Sequence, residues 1–408
     1  MVHRLVDHQL VNHKVVYLKK DDYICIINFN SNVIMSKPFI YGMSVEGNHF
    51  TDRELETKRL KLNFENGVNS ILISPRRMGK TSLVKRVMHQ IDDAKIKVVY
   101  MDIYSCRTEY EFYEKYASAI IQATASKVDK MVETAKEFIM SIVPKIKYSP
   151  EPNTEFALSL GINPTSNTPE EILDLPERIA LKRGMEIVIC IDEFQQIGEM
   201  SDTLIIQKKL RSVWQHHKHT SYCLFGSKQH MMKNLFQSRK MPFYQFGDMF
   251  FIKRIPTEKW VPFIVSRFAD SGKTISAEHA QKICETVDNY SSYVQQLAWN
   301  IFALSDDVIT EQDIKDGLDA TMAQSVSLFV EQTANLTSYQ LNLIRAICQG
   351  YHDDFGSKEV TSRFELGTKS NLIKLKNALV EREIIEITED GCFIADPLFE
   401  RWFVTEMK

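Results

Sequence analysis

The sequence predicts an α/β fold: a parallel sheet with helices on both faces, followed by a helical unit and then a small helix-and-hairpin unit. Three observations predict it. Five short β-prone apolar runs, at 69–73, 96–101, 186–191, 221–225 and 249–255, are separated by stretches of helical periodicity. Short buried strands alternating with helices make a parallel sheet covered on both sides. Residues 257–330 carry helical periods only, and 331–408 read as three helices and two strands joined at Asp390-Gly391.

The elements follow in order. Residues 1–36 hold His3, His8 and His13 and two strand-like runs, at 14–18 and 23–29. They form a leader that is either a short added hairpin or sequence upstream of a true start at Met35. The core is expected over 37–256. Its first strand, 69–73, feeds a loop and an amphipathic helix at 81–91. The strand at 96–101 is followed by a long helix at 109–125. Near 144–164, alternating residues flank a Pro-Glu-Pro-Asn turn and predict an inserted β-hairpin. The helical unit at 257–330 has starts marked by Thr257, Ser276 and Thr310. In the last unit, helices at 336–348, 357–364 and 369–382, the third capped by Thr368, lead into the hairpin. Three helices and a two-stranded wing make a winged helix.

Composition narrows the function classes. Charged residues make up 25% of the 408 and the net charge is −3, so no whole-chain field draws the protein to nucleic acid or anionic membrane. The longest apolar runs, about five residues, fall far short of the ~18 needed to span a bilayer. The first residues lack the apolar core of a secretory leader. The 7 cysteines are scattered with no C-x-x-C spacing. They read as reduced thiols in a cytoplasmic protein.

The motif-bearing stretch is Ser74-Pro75-Arg76-Arg77-Met78-Gly79-Lys80-Thr81-Ser82. It lies between a strand and a helix, as a phosphate-binding loop must. Gly79 lets the backbone approach phosphate, Lys80 supplies the cation, and the Thr81 hydroxyl suits Mg²⁺. Ser74 stands where the usual pattern has glycine. Serine is small enough for the turn if its φ stays negative, and Pro75 stiffens the path. The strand at 186–191 ends in Asp192-Glu193. Asp192 is placed for the metal's water shell and Glu193 for polarising an attacking water. Ser227, at the tip of the next strand, suits either sensing the γ-phosphate or capping a helix. Together these make a nucleotide-binding site with Mg²⁺. His216, His217 and His219 crowd a helix end, where cations at a C-terminus explain them better than metal binding.

On these motifs, residues 37–408 resemble the prokaryotic AAA+-related ATPases close to the signal-transduction (STAND) group and the archaeal-type ATPase family. The run Phe50-Thr51-Asp52-Arg53-Glu54-Leu55-Glu56 resembles the box that lies near adenine and ribose in those proteins, with Asp52 where glycine is usual. The resemblance implies nucleotide contact for Arg53 and suggests Arg239 as an arginine finger reaching a neighbouring subunit, although an exposed arginine suited to the dipole at a helix end explains Arg239 better. Ser291-Ser292-Tyr293 departs from the Gly-x-Pro frequent in the helical lid of relatives, which weakens the expectation of lid-mediated sensing. Arg267 is the candidate second sensor.

Two functions follow. One is an ATP-hydrolysing conformational switch acting on a protein partner or by self-association. The other is an ATP-gated DNA-binding regulator that uses the winged helix. Residues 331–408 hold nine basic and thirteen acidic residues, a net of −4. The wing carries Glu386, Glu389 and Asp390 against Lys369, Lys374 and Lys376 on the third helix. A DNA reader is expected to be basic on its contact face, so a protein-facing winged helix is favoured. The apolar tail with Phe393, Leu398, Phe399, Trp402 and Phe403 is expected to dock on the core or the lid.

Overall fold

The computed structural model describes residues 37–124 and 169–407. The leader at 1–36 and the hairpin expected at 144–164 lie outside the described residues. The main sheet has five parallel strands: β1 (Ser70–Ile73), β2 (Ile96–Asp102), β3 (Glu186–Asp192), β4 (Thr220–Gly226) and β5 (Asp248–Phe251). Their spatial order is β2-β3-β4-β1-β5. All five expected strands are present. The last is shorter than expected because only 248–251 pair with β1. The Ile252 N–H makes one more bond, 3.0 Å to the Ile73 carbonyl, before the chain turns away.

The alternation of side chains assigns each strand residue to one of two cores. Ile71, Ile73, Ile189, Ile191, Tyr222 and Leu224 face one side, where Phe194, Trp214 and Phe243 pack. Leu72, Val188, Cys190, Cys223 and Phe225 face the other. There they meet α1 (Glu54–Glu65) and α2 (Lys80–Met88) through Leu60, Phe64, Leu83, Val84 and Val87. The first face is covered by α3 (Glu109–Thr124), α4 (Pro169–Leu173), α5 (Leu175–Arg183), α6 (Thr203–Trp214) and α7 (Gln229–Gln237). Two buried faces explain why the strands read as continuous apolar runs.

Four helices follow: α8 (Thr257–Asp270), α9 (Ala277–Thr286), α10 (Ser291–Leu304) and α11 (Glu311–Ala323). Ser276 caps α9, and Thr310 forms a capping box with Asp313. Thr257 is not a cap: Pro256 holds that position, and the Thr257 hydroxyl instead bonds the Asn289 side chain. Helices α10 and α11 meet at Gly317, where an added Cβ would lie 3.1–3.2 Å from the Ile301 backbone. Gly317→Ala is therefore expected to destabilise the protein by about 1–3 kcal/mol through overpacking. A melting curve unchanged from wild type would show that the helices part without cost.

A bridging helix, α12 (Val326–Ala334), leads to α13 (Ser338–Cys348), α14 (Lys358–Arg363) and α15 (Lys369–Glu381), with Thr368 as the cap of the last. Strands β6 (Ile385–Thr388) and β7 (Gly391–Ile394) form the antiparallel wing. Helix α16 (Pro397–Glu406) closes the described chain and buries Leu398, Phe399, Trp402 and Phe403. Phe329 of α12 packs on Phe399 and Trp402, with ring centroids 5.6 and 5.7 Å apart. A single apolar cluster runs from Trp260 and Phe268 through Phe329 to Phe403. Two residues from the sheet's side, Phe39 and the phosphate-loop Met78, belong to it.

Candidate nucleotide site

The sheet order puts the carboxyl ends of β3, β4 and β1 side by side, and that is where ligands bind in such sheets. The loop after β1, Ser227 after β4 and Asp192-Glu193 at the end of β3 converge there. A cavity of about 580 Å³ opens at this edge, lined by Arg76 through Ser82, Asp192, Glu193 and Ser227. The segment 40–45, Phe50 and Arg53 close one side, and Trp260, Ser291, Ser292 and Gln295 close another.

The loop after β1 turns tightly into α2. Gly79 has φ +86°, a conformation in which other residues are strained. Arg77 also takes a positive φ, 66°, whereas Ser74 is not among the positive-φ residues. Serine in place of glycine therefore costs the turn nothing. Ser74 and Pro75 do not line the cavity. Their carbonyls instead hold Lys80, whose Nζ donates to Ser74 O at 3.1 Å and Pro75 O at 3.0 Å. Burial pushes the Lys80 ammonium down to about 8, against the pull of Glu193 and Asp192. An incoming phosphate would stabilise the charge that burial disfavours.

The Thr81 hydroxyl donates to Asp192 Oδ2 at 2.7 Å, and the Tyr100 hydroxyl reaches the same oxygen at 2.9 Å. Burial raises the Asp192 carboxyl above its ordinary range, partly offset by these two bonds. A hydroxyl and a carboxylate side by side are a hard-cation donor pair that fits Mg²⁺ held jointly with phosphates. Among the described residues, no group of three or more His, Cys, Asp or Glu side chains could hold a metal. The three crowded histidines are otherwise engaged: His216 with Gln215, His217 with Tyr222 and His219 with Glu186.

Glu193 sits at φ +55°, a left-handed strain that turns its side chain back over the strand ends. Its Oε2 accepts the Ser227 hydroxyl at 2.9 Å and a bond from the Gln195 carboxamide. Ser227 is not the cap of α7; Lys228 occupies that position. Arg53 is buried and reaches the loop, donating to Glu56 at 3.1 Å and to the Met78 carbonyl at 3.5 Å. Asp52 before it has φ +58°, which explains why glycine is usual there and why aspartate is accepted. The Ser82 hydroxyl accepts the Val45 N–H at 2.9 Å and ties the leading segment to α2.

Two arginines singled out from the resemblance lie outside the cavity of their own chain. Arg239 is exposed just past α7 and does not line the cavity. Arg267 is not a cavity residue either: it pairs with Asp270 at 2.6 Å and lies over Phe263. The departure at 291–293 has not removed the helical unit from the site. The Ser292 N–H donates to the Arg77 carbonyl at 3.1 Å. Gln295, unnoticed in the sequence, accepts the Ile40 N–H at 3.2 Å and donates to the His49 carbonyl at 3.3 Å.

The winged helix also reaches the loop. Arg76 pairs with Glu383 at 3.1 Å. Arg77 lies over the Tyr293 ring at 4.8 Å and pairs with Asp396 at 3.5 Å. The Tyr293 hydroxyl accepts from Arg77 and donates to Asp396. Beside them Arg254 faces Glu386 at 3.9 Å, and Gln229 donates to the same carboxylate at 3.4 Å.

A five-stranded parallel sheet, a glycine-lysine-threonine loop after β1 and paired acids at the end of β3 define a P-loop ATPase fold. The chain belongs to the family described as an ATPase domain predominantly from Archaea, matched over residues 50–297, and residues 327–405 match a probable winged helix domain. Solved structures share the fold. A Walker-type ATPase of Pyrococcus abyssi is 15% identical, with 88% of this chain and 97% of that chain covered and a TM-score of 0.64. The Aeropyrum pernix ORC2 protein in ADPNP-ADP complexes is 13% identical, with 91% and 98% covered and a TM-score of 0.56. No curated protein matches the chain. No helix among the described residues is long and apolar enough to cross a membrane.

Proposed function

We propose that this protein binds ATP with Mg²⁺, hydrolyses it, and uses the cycle to move its winged helix. Lys80 and the loop N–H groups hold the β- and γ-phosphates. Thr81 and Asp192 hold the metal, which supplies charge neutralisation at the phosphates. Glu193 orients and deprotonates the attacking water, and Ser227 senses the γ-phosphate. Arg53 and the 40–50 segment take the nucleoside. Helices α8–α11 act as a lid.

The observation that carries the switch is the pairing of Arg76 and Arg77 with Glu383 and Asp396. Phosphate groups and winged-helix carboxylates are anions competing for the same two guanidiniums. Nucleotide therefore loosens the docked winged helix, and by reciprocity undocking strengthens nucleotide binding. The pairs are half-exposed and individually weak, so the coupling is a bias between two poses. Glu383→Gln/Asp396→Asn removes both charges, and asparagine preserves the cap on α16. This variant is expected to bind ATP about threefold to tenfold tighter than wild type. Glu389→Gln/Asp390→Asn, the same charge change on exposed wing residues, should not. Equal affinity in all three proteins would remove the switch while leaving the nucleotide site standing.

The DNA-regulator reading is weaker. Glu386 of the wing faces Arg254 and Gln229 in the docked pose, and Lys376 covers the Phe355 ring at 4.5 Å. The surface left outward includes the acidic Glu389 and Asp390. A protein partner for the released winged helix fits this charge better.

A further inference from the structure

The geometry points to Gln195 as a positioning residue for the hydrolytic step, set in place by the absence of a side chain at Gly226. The inference rests on the proposed role of Glu193 as the base.

Gln195 is 2% exposed and lies two residues past Glu193. Its Nε2 donates to Glu193 Oε2, the same oxygen that takes the Ser227 hydroxyl and, at 3.4 Å, the Ser227 N–H. Three donors gather on one carboxylate oxygen. Oε1 is thereby left as the oxygen that can accept a proton from water, and the carboxylate cannot swing freely about its terminal bond. The Gln195 Oε1, in contrast, is buried without a hydrogen-bond partner among the described residues. A buried unpaired carbonyl oxygen is costly, so the carboxamide is held there for what its NH₂ does.

Gly226 supplies the space. It is the last residue of β4, paired with Ile73 of β1, and its φ is not positive. Backbone conformation therefore does not demand glycine. A Cβ there would collide with Gln195 Oε1 and come within 3.0 Å of Gln195 Cδ and 3.1 Å of Met232 Sδ. Glycine at 226 is needed because the carboxamide passes over it on the way to Glu193. The sequence Asp-Glu-Phe-Gln and the Gly-Ser at the end of β4 thus form one device: Gly226 admits Gln195, and Gln195 and Ser227 together fix Glu193.

Gln195→Met keeps the length of the side chain but removes the donor. It is expected to lower kcat by about tenfold to a hundredfold while leaving the Kd for ATP and the melting temperature near wild type. Gly226→Ala should produce a similar loss by displacing the carboxamide. The decisive measurement is the cycle. Once Gln195 is alanine, a methyl at 226 meets only the flexible end of Met232, so Gly226→Ala/Gln195→Ala should turn over as Gln195→Ala does. A merely structural role predicts losses that add, together with a falling melting temperature. Additive losses, or a Gln195→Met protein with wild-type kcat, would overturn the inference. If the wild-type protein binds ATP but releases no phosphate, the hydrolysis reading itself fails. If it turns over and the cycle is additive, only the role of Gln195 falls.

Discussion

Replacing Lys80 with alanine is expected to abolish nucleotide binding, with affinity falling about a hundredfold or more. Its ammonium is folded back on the Ser74 and Pro75 carbonyls, inside the loop and next to two carboxylates. Without it the cradle keeps its N–H groups but faces phosphate with Asp192 and Glu193 uncompensated. The effect should appear as loss of titration with a fluorescent ATP analogue, in protein whose melting curve shows it folded. Undiminished binding would move the nucleotide elsewhere on the molecule.

The second large effect is on turnover. Glu193→Gln is expected to bind ATP as wild type does and to release phosphate about a hundredfold to ten-thousandfold more slowly, because an amide cannot take the proton. The glutamine is close to isosteric and can still accept the Ser227 hydroxyl. The strained backbone at 193 should therefore persist. Phosphate release near the wild-type rate would assign the base to another group.

Much of this was legible in the sequence because it rests on local rules. Buried strands announce themselves as apolar runs, and Gly79-Lys80-Thr81 and Asp192-Glu193 carry their chemistry at fixed spacing. Thr310 and Thr368 mark helix starts where they stand. What escaped depends on which strands are neighbours. Tyr100 reaches Asp192 because β2 lies beside β3, with Tyr100 opposite Cys190. No local pattern states that pairing. Gln195 bonds the nearby Glu193, but the space its carboxamide needs is set by Gly226 of β4 passing alongside, which no local pattern states. Tyr293 and Asp396 stand 103 residues apart, and Arg77 and Asp396 stand 319 apart. The acidic bias of the winged helix was visible, and so was the excess of aromatic residues in its tail. Their targets, two arginines in the phosphate loop and a phenylalanine in α12, were not. The expected finger, Arg239, came from resemblance alone, and no local physics tied it to the cavity.

The place of Met78 bears on how separable the parts of this protein are. It is a loop residue one position before Gly79, yet its side chain lies in the apolar cluster of the C-terminal half, with Phe39. The loop, held on the sheet by β1 before it and α2 after it, is thus also anchored through Met78 in a different core. Excising the sheet with its flanking helices would not yield a minimal ATPase: it would leave Met78 and Phe39 in water and release the loop from one of its two anchors. Modularity, the property that lets many nucleotide-binding cores be shuffled between unrelated effectors, is sacrificed here. In exchange, the C-terminal half and the loop share one apolar core, so a shift of that half would be felt directly at Met78.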